Sequence, residues 1–144
     1  MRERIKAFLK DKDMCVLATA REGKPHCSLM AYVADEKVEW VYMVTHRNTT
    51  KYANLLANEQ VSLLVDNRCE GLPADRDKIQ ALTVHGTFHA VEEEGTKKKI
   101  LAQVRQRHPH MVEFLDNPEA EIISVRVSSF LFLDGILDAQ HITV

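Results

Sequence analysis

Glycine is scarce in this chain and never clustered: Gly23, Gly71, Gly86, Gly95 and Gly135 stand apart from one another. Neither GxGxxG nor GxxxxGK occurs, so Rossmann and P-loop phosphate nests are excluded. A bound phosphate would need hydroxyls, cations and a helix end instead. Cysteine is equally sparse. Cys15, Cys27 and Cys69 are odd in number and lack CxxC spacing, which argues against structural disulfides and a thiolate zinc site. They are expected to be buried or half-buried, inert thiols. No apolar run approaches the ~20 residues that would cross a bilayer, so no membrane is expected as a partner. The N-terminal stretch MRERIKAFLKDKDM has no apolar signal region and reads as cytoplasmic and unprocessed. Charge of one sign is missing too: 19 basic against 21 acidic residues give a net charge of −2. Without a basic stripe to displace counterions, nucleic acid is not expected as a partner.

What is present is an ordinary globular composition, 45% hydrophobic and 28% charged over 144 residues. That length supports one domain, residues 1–144, with its own core. Ile5, Phe8 and Leu9 share a helical face, so a short helix is expected over residues 2–10. Met14–Ala20, His26–Val33 and Val38–Thr45 read as three strands joined by turns, an antiparallel meander. A helix over Thr49–Asn58 should bury Tyr52, Leu55 and Leu56, and Val61–Val65 returns as a strand. Asn67–Asp77 is aperiodic and reads as an exposed loop. Ile79–Val91 is a long strand with a bend expected at Gly86. A helix follows, acidic at Glu92–Glu94 and basic at Arg105 and Arg107, ending at Pro109. In Glu121–Leu133, Ile123, Val125 and Val127 alternate with Ser124, Arg126 and Ser128, a last strand. Residues 134–144 extend the sheet or cross to a second copy. The fold class is α+β, mainly β: an antiparallel, closed or partly closed barrel with short flanking helices.

Most catalytic chemistry is poorly supported. His85 and His89 lie on one strand face but about 13 Å apart, too far to share an ion. His108 and His110 flank Pro109 at a helix end, where surface capping accounts for them. No HExxH, no GxSxG elbow and no paired-carboxylate site is present. No catalytic residue can be named, and no metal is expected.

One stretch concentrates polar groups: Thr45, His46, Arg47, Asn48, Thr49, Thr50 and Lys51 are consecutive, all able to donate hydrogen bonds and none acidic. They connect a strand to a helix, whose first-turn N–H groups and positive dipole end favour an anion. Lys51 near the helix start and Glu59 beyond its end are opposite to the usual polarity, by about 0.3–1 kcal/mol per charge. Two readings stand side by side: an anion site, most simply for phosphate, and a solvated turn capped by Asn48 or Thr49. Beside it, Ser28–Tyr32 is an apolar strand along which a flat cofactor could stack.

These segments resemble the pyridoxamine 5′-phosphate oxidase-like FMN-binding split barrels. Ala18-Thr19, Gly23-Lys24-Pro25-His26, Thr45 to Leu55, Asn58 to Ser62 and Val84-His85-Gly86-Thr87 match the family's successive motifs. The resemblance covers roughly the first two-thirds of the chain. It implies an antiparallel split β-barrel that binds FMN and forms a homodimer with FMN at the interface. It implies phosphate contacts from Arg47, Thr49, Thr50 and Lys51. Contacts to the isoalloxazine or ribityl group would come from Ser28, Leu29, Met30, Ala31, Val44 and Thr45. The implied activity is an FMN-dependent oxidoreductase on an unknown small substrate. A flavin- or haem-binding protein without turnover, and a deazaflavin reductase, are the alternatives on the same fold. The chain departs from true pyridoxamine phosphate oxidases in lacking their C-terminal Arg-x-His motif, and in carrying Thr50 where many relatives have Arg.

Overall fold

A computed structural model describes residues 1–144. Helix α1 (Arg2–Asp11) buries Ile5 and Leu9. Strands β1 (Met14–Arg21) and β2 (Lys24–Ala31) form a hairpin whose last pair is Arg21 with Lys24. The two residues between them, Glu22 and Gly23, both have positive φ, 52° and 75°. A two-residue loop of that conformation matches the right-handed twist of the strands. After Tyr32 come β3 (Val33–Ala34), β4 (Trp40–His46), α2 (Thr50–Ala57) and β5 (Gln60–Asp66). A 3-10 helix at Pro73–Lys78 precedes β6 (Gln80–His89), α3 (Glu94–Arg107), α4 (Val112–Leu115), β7 (Ala120–Asp134) and β8 (Asp138–Thr143). No helix is long and apolar enough to cross a membrane.

All eight strands belong to one antiparallel sheet ordered β2-β1-β5-β6-β7-β4-β3, with β8 also on β7. The two ends of that order, β2 and β3, are consecutive in the chain and separated only by Tyr32. The sheet therefore curls until its first and last strands meet, as the expected split barrel requires. Tyr32 holds the seam with three bonds. Its N–H donates to the Asp13 carbonyl (3.0 Å), its hydroxyl donates to the Leu9 carbonyl (2.6 Å), and its carbonyl accepts from His108 Nε2 (2.8 Å). Burial pushes the Tyr32 phenol above its ordinary pKa, so it stays a donor.

Alternation fills the barrel. Leu17, Met43, Leu63, Leu82, Val84, Ile123 and Val125 point inward with Phe130 and Phe132. On β7 the inward set changes parity between Val127 and Phe130. The cause is an extra residue: His85 pairs with Ser129 but Gly86 pairs with Val127, leaving Ser128 unmatched. A bulge of this kind bends both strands, and the Ser128 hydroxyl ties it by donating to the His85 carbonyl (3.0 Å). The bend expected at Gly86 is thus present. A smaller apolar cluster, with Val33, Val44, Ile100, Val104, Leu115 and Ile122, seats α3 outside β4 and β7.

Five expectations are corrected. His108 is no surface cap: it is buried, with its ring on the Tyr32 carbonyl. The first three long strands are a meander only at Val33–Ala34, which pairs with Tyr42 and Val41; otherwise β4 pairs with β7 and not with β2. Val38 is not in a strand: it has φ 57°, inside a turn where Asp35 Oδ1 accepts from the N–H groups of Glu39 and Trp40. Leu56 is 66% exposed, because α2 lies on the sheet through Tyr52, Asn54 and Leu55. Of the cysteines only Cys15 is buried, its thiol pushed up to about 12 by burial, while Cys27 and Cys69 are exposed. Residues 138–143 extend the sheet as β8, reached through Gly135 at φ 75°.

Candidate functional site

The polar loop leaves the end of β4 and enters α2, and it is held from the far side by the start of β7. The Arg47 N–H donates to the Glu119 carbonyl (2.8 Å), and Thr45 lies opposite Glu121 in the β4–β7 ladder. Thr45 is 1% exposed. Its hydroxyl lies 3.2 Å from that of Thr49 and accepts from Lys51 Nζ at 3.4 Å. The Thr49 hydroxyl donates backward to the His46 carbonyl (2.9 Å). Thr49 is the N-cap of α2 by position but makes no side-chain cap bond. The routine capped turn is therefore not what forms, and the first-turn N–H groups keep their donor capacity.

The basic side chains of the loop have different fates. His46 stacks on Phe114, with ring centroids 3.9 Å apart, and its Nε2 lies 3.4 Å from the Phe114 carbonyl. Arg47 turns to β7: Nε donates to Glu121 Oε1 at 3.0 Å, and a terminal nitrogen lies 2.9 Å from the same oxygen. The nitrogen that meets Glu121 also donates to the Pro118 carbonyl (3.4 Å), and the other terminal nitrogen lies 3.8 Å from Glu119. Lys51 has no carboxylate partner; partial burial lowers its pKa. Thr50 and Asn48 are exposed. Tyr52, half-buried, has its phenol pushed up by burial and then by Glu121, with Arg47 opposing.

The strand residues divide by parity. Ser28 pairs with Leu17 and Met30 with Cys15, so both side chains face inward; Leu29 and Ala31 face outward. Leu29 is 71% exposed. One flat ligand could not meet all four side chains, but β2 is an edge strand with unpaired main-chain groups to offer. The Val44 side chain is packed under α3, so only its main chain could reach a ligand. Helix α2 leans on β1 and β2, and Asn54 Nδ2 donates to Thr19 Oγ1 (3.1 Å) to fix it there. Leu29 lines a cavity of about 320 Å³ with Met14, Val16 and Leu64, whereas Arg47 lines another of about 180 Å³ with Tyr52, Lys97 and Glu121. The two cavities share no residue, so Leu29 and Arg47 line separate cavities. Glu119 and Glu121 were missed by sequence reasoning. Only their place in the β4–β7 ladder, more than seventy residues from Arg47, makes them its partners. No cluster of histidine, cysteine or carboxylate groups could hold a metal.

A sequence profile of the pyridoxamine 5′-phosphate oxidase family matches residues 1–133. No curated protein matches. Among solved structures, a haem-binding protein from Mycobacterium smegmatis superposes with a TM-score of 0.81 at 16% identity, over 96% of this chain and 56% of that one. This chain therefore spans little more than half of that protein. A FAD-binding protein from Mesorhizobium loti gives 0.74 at 14% identity, over 92% and 93% of the two chains. The haem storage protein of Vibrio cholerae gives 0.69 at 19% identity, over 98% and 93%. At these identities the likeness is one of fold.

Proposed function

The chain belongs to the pyridoxamine 5′-phosphate oxidase family, and from that premise we propose that it is an FMN-binding flavoprotein, a homodimer that passes electrons to a small organic substrate. The observation that carries this reading is Lys51, a cation with no carboxylate partner beside two threonine hydroxyls and an uncapped helix start. That donor set fits the terminal phosphate of FMN: one full positive charge, two hydroxyls and first-turn N–H groups. The free edge of β2 is suited to main-chain bonds with the flavin ring. When bound, FMN would supply the electron-transfer chemistry, while the protein orients it and excludes water.

The dimer draws support from the outer face of the sheet. Leu29, Val16, Leu64, Thr83 and Leu131 form one row across five strands, and Met14 lies in the next row. Leu29, Met14 and Leu131 expose apolar surface that a monomer rarely leaves in one band. Light scattering should give twice the 16.4 kDa chain mass; a monomer at micromolar concentration would remove this part of the reading.

The second reading is a haem carrier without turnover, favoured by the fold shared with the haem proteins of Mycobacterium smegmatis and Vibrio cholerae. The absorption spectrum of the purified protein decides. Two visible flavin bands are expected, bleached on anaerobic reduction; a Soret band in their place would overturn FMN in favour of haem.

A further inference from the structure

We infer that Arg47 is a structural tie to Glu121 rather than a phosphate ligand, and that Lys51 is the single cation this loop presents to an anion. The inference rests on the FMN reading and refines which side chains carry it. Arg47 is the more obvious phosphate partner by residue type, since its planar fork suits phosphate oxygens. Its fork is already engaged. Two of its nitrogens meet Glu121 Oε1 at 3.0 and 2.9 Å, a third lies 3.8 Å from Glu119, and the Pro118 carbonyl takes a further bond. Its main-chain N–H is fixed to the same segment by the 2.8 Å bond to Glu119.

Every one of these contacts points from the loop to residues 118–121 at the start of β7, and none points back toward the Thr45–Thr49 hydroxyl pair. With one arginine facing two carboxylates, this corner carries no surplus positive charge. Pulling Arg47 onto a phosphate would leave Glu121, whose side chain is 28% exposed, without its cation. Lys51 is arranged the other way. No carboxylate lies within ion-pair distance of it, and its Nζ is directed at Thr45 Oγ1, a hydroxyl that is itself buried. Partial burial lowers the Lys51 pKa, as fits a cation without a counter-ion. Thr50 adds no charge. The loop is therefore built with one neutralised cation that ties it to β7 and one unneutralised cation aimed at the hydroxyls.

The separate roles predict different behaviour toward FMN and riboflavin, which differ only in the phosphate. The measured quantity is the ratio of their dissociation constants, from quenching of flavin fluorescence, together with the melting temperature. Lys51→Met should weaken FMN tenfold or more, on the order expected for a lost charge-assisted bond, and leave riboflavin unchanged. Arg47→Met should leave the ratio within about twofold of the wild type while lowering the melting temperature. Should Arg47→Met fail to fold, Arg47→Gln combined with Glu121→Gln removes both charges and keeps an amide pair; it too should retain the wild-type ratio. A ratio that collapses in either Arg47 variant as it does in Lys51→Met overturns the inference and leaves FMN binding standing. A wild-type protein with no preference for FMN over riboflavin overturns both.

Discussion

A Gly86→Val protein should be less stable than the wild type by about 3 kcal/mol or more, at the upper end of overpacking effects. For a chain of this length that corresponds to a fall in melting temperature of roughly 10 °C. The cause is the close approach of paired strands β6 and β7 at the bulge. A Cβ at Gly86 would lie 2.5 Å from the Arg126 carbonyl oxygen and 2.6 Å from Val125 Cγ1. The first is backbone within a ladder, so it cannot rotate away, and the second belongs to the packed core. Relief would require β6 and β7 to separate where Ser128 is already unmatched. Gly23→Ala provides the contrast. There a Cβ meets nothing within 4 Å, and the only penalty is the positive φ of 75°, roughly 1–2 kcal/mol. If thermal melting ranked Gly23→Ala as the worse of the two, the close approach at Gly86 would not be what limits the sheet.

Tyr32→Phe is the second large effect, about 2 kcal/mol, from one missing oxygen. The hydroxyl donates to the Leu9 carbonyl, in the last turn of α1, where helix carbonyls have no intrahelical partner. Leu9 and Tyr32 are both almost fully buried, so water does not replace the lost donor. The phenylalanine ring would fill nearly the same volume, which isolates the hydrogen bond from packing. Urea unfolding should show a lower midpoint at unchanged slope. Amide exchange should quicken in α1 before it does in β5 and β6. Uniform acceleration throughout the chain would mean that α1 and the barrel open as one unit, and the seam would then have no separate role.

Much of the strand content was legible because alternation is a local signal. Ile123, Val125 and Val127 announce β7, and Val61 and Leu63 announce β5, without reference to any partner. Neighbour relations in the sheet were not legible in the same way. Nothing in the composition of β4 distinguishes β2 from β7 as its neighbour, and proximity in sequence favours the wrong one. Leu56 shows the limit of helical periodicity: the spacing fits an apolar stripe, but α2 is short and meets the sheet through Tyr52, Asn54 and Leu55, with Leu56 turned away. The site followed the same division. Thr45–Lys51 stood out as seven consecutive donors, and the threonine–lysine cluster forms there. The ties between Arg47 and Glu119 and Glu121 depend on strand pairing across the barrel, so no local pattern carried them.

The place of Tyr32 between the two ends of the sheet also bears on how the chain finds its fold. The ladder from β2 through β1, β5 and β6 to β7 can grow by adding neighbours, but β4 must return to β7 across about eighty residues. Loop closure on that scale is slow. The return is guided, because β4 is tethered to the opposite end of the ladder by Tyr32, the two residues of β3 and a five-residue turn. A slip of two residues between β4 and β7 would drag Tyr32 off the Asp13, Leu9 and His108 groups it binds. The short tether thus couples the register of β4 on β7 to the place of Tyr32 at the seam.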